Sequence, residues 1–410
     1  MRKNRASRSR AVRLRVKKVF FAAIAAAMFV SLPHIAVKAE STSAKAHILM
    51  EVSTGRVFDE YNADEKLPMA STTKILTGLL AAENCNLDEI VTVPKEATGI
   101  EGTSMYLVEG ETLPVRDLLY GLMLSSGNDA AAMLAIHMGG SIEGFAEMMN
   151  KRAKEAGATN SRCVTPNGLP NDNHYTTARD LAKIACAAMQ NETFREVVGT
   201  SSLNIPEDDD SPARYLRSKN KILYEYDGGN GVKTGFTKAA GKCLVASAER
   251  DGMNLVAVTL NDYSMFNDCK RLLDYGFAGW KMQTVAEQGD SVGYVTVENG
   301  IKNGVEIKLC ETIVLPLSEE EVKMVYSVIH KTDGMQAPVN AGDKAGYAEF
   351  YLGNEKLAVS GIEAADSIEE NTYLYNLKKV LEKWYWYGEW GSGENSEIHG
   401  GGRSGIQTGQ

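Results

Sequence analysis

The spacing of apolar residues changes period several times along this chain, and each change marks an element. Ala46-His-Ile-Leu-Met-Glu-Val52 predicts a strand, Ser53-Thr-Gly55 a turn and Val57-Phe58 the returning strand of a hairpin. At Met69-Ala-Ser-Thr-Thr-Lys-Ile-Leu-Thr-Gly78 the period becomes helical. Ile75, Leu76, Leu79 and Leu80 share one face, Pro68 suits the approach to a helix start, and the helix is expected to reach about Glu83. Ile90-Val-Thr-Val93 reads as a short strand, and Thr98 to Gly110 as a glycine-rich loop region.

Leu113 to Leu124 predicts a helix with Pro114 at an early position and Leu118, Leu119, Leu122 and Met123 in the core. Ser125-Ser-Gly-Asn128 interrupts it. A second apolar helix then runs from Asp129 to Met138 and stops at Gly139-Gly140. Ile142 to Ala156 is amphipathic, Val164 to Pro170 is loop, and His174-Tyr-Thr-Thr-Ala-Arg-Asp-Leu-Ala182 opens another helix with Thr176 or Thr177 as its cap. Glycines flank Val232-Lys-Thr234, which predicts a strand approached closely by other atoms. Lys242 to Ala248, the turn Asp251-Gly252 and Leu255 to Leu260 form a hairpin, and Asn267 to Gly276 a closing helix. Strands at both ends with helices between them imply one antiparallel sheet flanked by helices, an α+β arrangement.

Beyond about Trp280 the alternation becomes strand-like throughout: Val292 to Glu298, Val305 to Leu309, Thr312 to Leu315 and Val322 to Ile329, then a hairpin Tyr347 to Leu352 and Leu357 to Ser360 turning at Gly353-Asn354. This predicts a small all-β domain over 281–370. Tyr373 to Tyr387 is amphipathic, with Leu374, Leu377, Val380, Leu381 and Trp384 on one face and Lys378, Lys379 and Lys383 elsewhere. Such a helix suits a membrane surface; the alternative is a helix docked on the β-domain. Residues 388–410 read as a disordered glycine-rich tail.

Charge alters the reading of the beginning of the chain. Residues 1–39 hold a basic leader without acidic residues, the apolar run Val19 to Pro33, and Ala36-Val-Lys-Ala39, the pattern of an export signal cut after Ala39. An uncleaved anchor is the alternative, for which the run is short. Without this segment's ten basic residues the net charge moves from −9 to −19, which disfavours nucleic acid as a partner. The six cysteines are irregularly spaced in mostly apolar stretches and read as small buried thiols. The six histidines show no ligand spacing, so neither metal nor cofactor is expected.

The chemistry rests on three short motifs. Ser71 and Lys74 stand three apart, so a helix brings them side by side, where a neutral lysine can take the serine proton. Taken alone, this spacing, which occurs often by chance, reads as an N-cap serine beside a solvated lysine. Ser126-Gly-Asn128 lies between two helices, where it fits either ordinary capping or polar groups projecting into a cleft. Lys233-Thr-Gly235 lies on a strand. His174 sits in loop sequence beside a cap, and a structural role is expected for it.

In that order and on those elements, the motifs resemble the low-molecular-weight penicillin-binding proteins, specifically the serine D-alanyl-D-alanine carboxypeptidases. Gly102-Thr-Ser-Met-Tyr106, Val115-Arg-Asp-Leu-Leu-Tyr-Gly-Leu122, Asn167-Gly-Leu169, His174 to Asp180 and Gly231 to Thr237 extend the likeness over roughly 44–280. The resemblance implies the penicillin-recognising serine-enzyme fold for a catalytic domain over 40–280, followed by the all-β domain and the 371–387 helix. It implies Ser71 as acyl-ester nucleophile, Lys74 as general base, Ser126 as proton relay and Asn128 as a holder of the substrate amide. Lys233 and Thr234 would bind the terminal carboxylate, Gly235 would let substrate lie along the strand, and the N–H groups of Ser71 and Phe236 would form the oxyanion hole. Peptidoglycan stem peptides ending in D-Ala-D-Ala and β-lactams are the implied partners, outside the cytoplasmic membrane. A class A β-lactamase has Ser-Asp-Asn where this chain has Ser126-Gly-Asn128, and lacks an appended β-domain. The remaining alternatives are a D,D-endopeptidase on cross-links and a non-catalytic cell-wall binder that keeps the fold.

Overall fold

The computed structural model describes residues 42–207 and 211–390. The expected export signal and the tail beyond Trp390 lie outside the described residues.

Strands β1 (Ala46–Glu51) and β2 (Val57–Tyr61) form the first hairpin. A 3-10 turn over Ala70–Thr73 leads into helix α1 (Lys74–Asn84). Strands β3 (Ile90–Thr92) and β4 (Thr112–Pro114) pair with each other. The expected helix start at Leu113 is therefore corrected: Leu113 belongs to β4, and α2 (Val115–Tyr120) begins after Pro114, whose extended backbone occupies the cap position. A π-turn over Gly121–Ser125 continues α2, and then come α3 (Asn128–Gly139) and α4 (Ile142–Glu155). Thr177 caps α5 (Ala178–Gln190) by accepting from the Asp180 N–H. Helix α6 (Glu192–Gly199), the hairpin β5 (Ser202–Ile205) and β6 (Arg214–Arg217), and the short α7 (Ile222–Glu225) complete a stretch without a clear pattern in the sequence.

Strands β7 (Gly229–Thr237), β8 (Gly241–Arg250) and β9 (Met253–Leu260) follow, then α8 (Met265–Gly279). The main antiparallel sheet has the order β2-β1-β9-β8-β7. Helix α8 packs on β8 and β9, while α5 packs on β1 and β9. Strand β1 is buried at every position for that reason, and β8 and β9 are nearly so. Each fully buried Leu or Ile in these runs contributes about 2 kcal/mol. Among the described residues, strand β7 ends the sheet and leaves one edge without a partner strand.

The β-rich region consists of β10 (Lys281–Ala286), β11 (Ser291–Glu298), β12 (Gly304–Leu309), β13 (Ile313–Leu317), β14 (Val325–Lys331), β15 (Met335–Gln336), β16 (Lys344–Leu352) and β17 (Glu355–Ala364). Six of them form a sheet in the order β14-β16-β17-β12-β11-β15. Alternate residues such as Ile307, Leu309, Phe350 and Ile362 build its own core with Leu315 and Leu317. The strand expected from Val322 begins at Val325, because Glu321–Lys323 is a 3-10 turn. That turn serves the seam with the first region: Glu321 accepts both guanidinium arms of Arg56 and the Trp280 indole N–H, while Phe58 stacks on Trp280 at 4.4 Å between centroids.

Helix α9 (Tyr373–Trp390) runs three residues past the expected end at Tyr387, so residues 388–390 are helical rather than tail. Among the described side chains, its row of Leu374, Leu377, Val380, Leu381 and Trp384 is exposed rather than docked on the β-rich region. Among the described residues no helix is long and apolar enough to cross a membrane. All six cysteines are free thiols, four of them buried.

Candidate active site

The Ser71 turn is held by its own threonines. Thr72 Oγ1 donates to Met69 O at 2.6 Å and Thr73 Oγ1 donates to Ala70 O at 2.8 Å. Ala70 takes a left-handed φ of 49°, unusual for a side chain with a Cβ, immediately before Ser71. Ser71 thus sits in the 3-10 turn that runs into α1, and its side chain caps no helix. Gly235 of β7 lies against this turn. A Cβ there would stand 3.1 Å from the N atoms of both Ser71 and Thr72. The close approach signalled by the glycines is therefore made by the Ser71 backbone itself.

Lys74 is fully buried, which excludes the solvated alternative. Its Nζ lies 3.1 Å from Ser71 Oγ, 2.6 Å from Asn128 Oδ1 and 2.9 Å from Asn167 O. The last two atoms can only accept. A neutral amine has two hydrogens and one lone pair, so donation to both acceptors turns the lone pair toward the Ser71 hydroxyl. Burial holds the Lys74 pKa well below its ordinary value, and the charges of Lys233 and Lys219 push it the same way, against Asp129.

Ser126 adopts the left-handed conformation, φ 62° and ψ 36°, between the π-turn and α3. Thr103 clamps this corner from both sides: its Oγ1 donates to Ser126 O at 2.6 Å, and its carbonyl accepts the Asn128 N–H at 2.7 Å. Among the described residues no hydrogen bond engages the Ser126 hydroxyl, which is placed by its backbone alone. Asn128 is buried, with Oδ1 facing Lys74 and Nδ2 donating to Glu101 O at 2.5 Å. Gly102 is required beside it, since a Cβ there would stand 2.7 Å from Nδ2. Asp129 anchors the loop above the corner, accepting the N–H groups of Met105 and Leu107 and the Ser104 hydroxyl.

Lys233 on β7 is almost completely buried and donates to Thr234 O at 3.0 Å. Burial lowers its pKa to about 7, with Lys219 contributing in the same direction. Thr234 is half-buried and Phe236 exposed along the open strand edge. An extended peptide can add itself to such an edge.

Ser71, Lys74 and Asn128 are thus joined by direct hydrogen bonds, and Lys233 is tied to them through its field. Sequence reasoning missed the Asn167 carbonyl and the exposed Lys219. Asn167-Gly-Leu169 had stood out only as part of a resemblance, and a backbone acceptor has no side-chain signature. His174 is buried away from solvent, as a structural role requires. In chemical terms, the arrangement can deprotonate a serine, hold an anion on a strand edge and exclude water from its base.

Two family models cover the chain: D-alanyl-D-alanine carboxypeptidase over residues 34–264, and penicillin-binding protein 5, C-terminal domain, over residues 280–380. The D-alanyl-D-alanine carboxypeptidase DacF of Bacillus subtilis is 31% identical over 350 residues, 83% of this chain and 90% of that protein. DacC of Escherichia coli, also named a D-alanyl-D-alanine carboxypeptidase, is 31% identical over 376 residues, 86% of this chain and 92% of its own length. Among solved structures, penicillin-binding protein 5 of Haemophilus influenzae superposes with a TM-score of 0.67 at 25% identity, over 82% of this chain and 100% of the other.

Proposed function

This chain belongs to the D-alanyl-D-alanine carboxypeptidase family of penicillin-binding proteins, and from that premise we propose how its residues divide the work. The protein is a serine-type D-Ala-D-Ala carboxypeptidase. The family forms a serine acyl-enzyme on peptidoglycan outside the cytoplasm and is inhibited by β-lactams.

Ser71 Oγ attacks the carbonyl between the two D-alanines while Lys74 Nζ takes its proton. The N–H groups of Ser71 and Phe236 receive the oxyanion. Lys233 and Thr234 hold the terminal carboxylate, and Gly235 keeps the strand close to the turn. Ser126 gives its hydroxyl proton to the departing D-alanine nitrogen as the C–N bond breaks and takes the replacement from Lys74, which is neutral again. Asn128 orients Lys74 through Oδ1 and keeps that oxygen's second lone pair for a substrate N–H. Water then attacks the ester, Lys74 accepts its proton and returns it to Ser71 Oγ as the ester C–O bond breaks, and both groups are regenerated. The observation that carries this reading is the buried Lys74 amine, whose two obligate acceptors leave its lone pair for Ser71.

The test is D-alanine release by the purified protein from a peptide ending in Lys-D-Ala-D-Ala. Penicillin blocks the release and leaves a mass adduct on Ser71, and Ser71→Ala abolishes both. Release that survives Ser71→Ala would assign another nucleophile. An adduct without release would move the substrate to cross-linked peptides.

We assign residues 1–39 to export, 40–280 to catalysis and 281–370 to supporting the catalytic part. The exposed apolar row of α9 supports contact with a membrane surface. Deleting 371–410 then releases the protein from anionic vesicles with kcat unchanged in solution; continued binding would sink the assignment.

A further inference from the structure

The His174 ring is enclosed by hydrogen bonds that permit only one arrangement. Its Nδ1 faces two donors, Val164 N at 3.1 Å and Thr165 N at 3.3 Å. That nitrogen therefore carries the lone pair, and the ring proton resides on Nε2. Nε2 lies 2.8 Å from Thr73 Oγ1. The Thr73 hydroxyl gives its own hydrogen to Ala70 O, which leaves its lone pair for the Nε2–H. The chain of donors thus runs from the backbone of the 164–168 loop, through the imidazole and Thr73, to the carbonyl of the residue before Ser71.

The same loop meets the Ser71 turn and the start of α1 at three further places. Thr77 Oγ1 donates to Pro166 O at 2.6 Å, and Lys74 Nζ to Asn167 O at 2.9 Å. Gly168, at φ 83°, is pressed so closely that a Cβ would stand 1.9 Å from Ala70 O. Asn167 O is one of the two acceptors that turn the Lys74 lone pair toward Ser71. Its position depends on how the loop is fastened.

We infer that His174 is a positioning residue for the acylation chemistry: through Thr73 it fastens the 164–168 loop to the Ser71 turn and so fixes the Asn167 carbonyl that orients Lys74. It touches neither substrate nor the reacting atoms. Burial pushes its pKa down to about 4, in keeping with a neutral ring between these partners. The inference rests on the reading of Ser71 as nucleophile and Lys74 as base.

The experiment compares wild type, His174→Ala, Thr73→Val, Thr73→Ser and the His174→Ala/Thr73→Val double variant. Active sites are counted by labelled penicillin carried to completion. The rates of penicillin acylation and of D-alanine release are then expressed per active site. A base displaced by about 1 Å loses on the order of a hundredfold in rate. Both His174→Ala and Thr73→Val are expected to lose acylation rate and kcat on that scale, with KM within about twofold of wild type. Thr73→Ser keeps the linking hydroxyl and most of the rate. The double variant is no slower than the slower single, because both break one connection.

Rates per active site that stay at the wild-type value, with only a lower Tm, would overturn the inference and leave His174 a stability residue. Losses that multiply in the double variant would overturn it too, since the two residues would then act separately. Should His174→Ala fail to fold, Thr73→Val against Thr73→Ser decides the matter alone. Failure of the underlying reading shows differently: wild type itself would carry no penicillin on Ser71.

Discussion

The two regions on either side of Trp280 obey local rules to different degrees. In the β-rich region, alternation settles nearly everything. β12 alternates strictly between half-buried and buried positions, Ser360 is the one fully buried polar side chain among its described residues, and Asn299 the one non-glycine residue with positive φ. The first region buries Lys74, Asn128, Asp129, His174, Lys233 and many other polar groups, and holds Ala70, Tyr106 and Ser126 in left-handed conformations. Burying such groups costs stability unless each is paired. That cost is concentrated around Ser71, where we propose the chemistry.

The sharpest way to break this contrast is to make the site obey the packing rule. Lys74→Met fills the same space without the amine, and is expected to lower acylation by about 10³-fold or more while the circular dichroism spectrum is retained. An acylation rate within tenfold of wild type would remove Lys74 as the base. The matching change across the seam is Phe350→Ala in the β-rich core. It should cost about 3 kcal/mol in denaturant unfolding and leave D-alanine release per active site unchanged.

The seam itself gives a smaller effect. Arg56→Ala leaves Glu321 mostly buried without its guanidinium partner. About 2 kcal/mol of stability is lost, below the range for fully enclosed pairs. Activity per penicillin-titrated site changes less than twofold if the seam is purely structural, and a larger loss would tie it to catalysis.

The smallest effect, taken per pH unit, is a slope. Lys233 keeps its proton only to about pH 7 when folded, against 10.5 for an ordinary lysine. Between those values the unfolded chain binds the additional proton, so stability rises with pH across this window, by at most about 1.4 kcal/mol per unit. Melting curves at pH 7 and pH 10 should show the rise, and Lys233→Met should reduce it, the remainder belonging to Lys74. The same titration shapes catalysis. With the proposed roles, activity should grow as Lys74 loses its proton and fall as Lys233 does, and the alkaline fall should come at higher pH in kcat than in kcat/KM, because a bound carboxylate would retain the Lys233 proton. Coincident alkaline limbs would mean that Lys233 does not meet that carboxylate.

What the sequence disclosed follows from the same contrast. The hairpins, the α1 helix and the β-rich region were legible because burial imposes a period on them. Ser71, Lys74, Ser126, Asn128 and Lys233 were legible as residue types at fixed spacing. Helix α6 and the β5–β6 hairpin were not seen, being short pieces whose burial depends on partners distant in sequence. Helix α2 starts later than its apolar pattern suggests, since Pro114 ends a strand before the helix opens. The Asn167 carbonyl, the Thr103 clamp and the His174–Thr73 link were hidden because tertiary contacts, not residue types, create them.

The stacking of Phe58 on Trp280 has an optical consequence. The chain has four tryptophans, and the other three, Trp384, Trp386 and Trp390, all belong to α9. A protein cut before that helix keeps one indole, stacked on Phe58 and edge-on to Tyr275 with its N–H on Glu321. Its tryptophan emission then comes from the joint between the two regions and nowhere else. Parting of the joint, as distinct from melting of either half, can be timed by a red shift in that single emission band, with no dye attached.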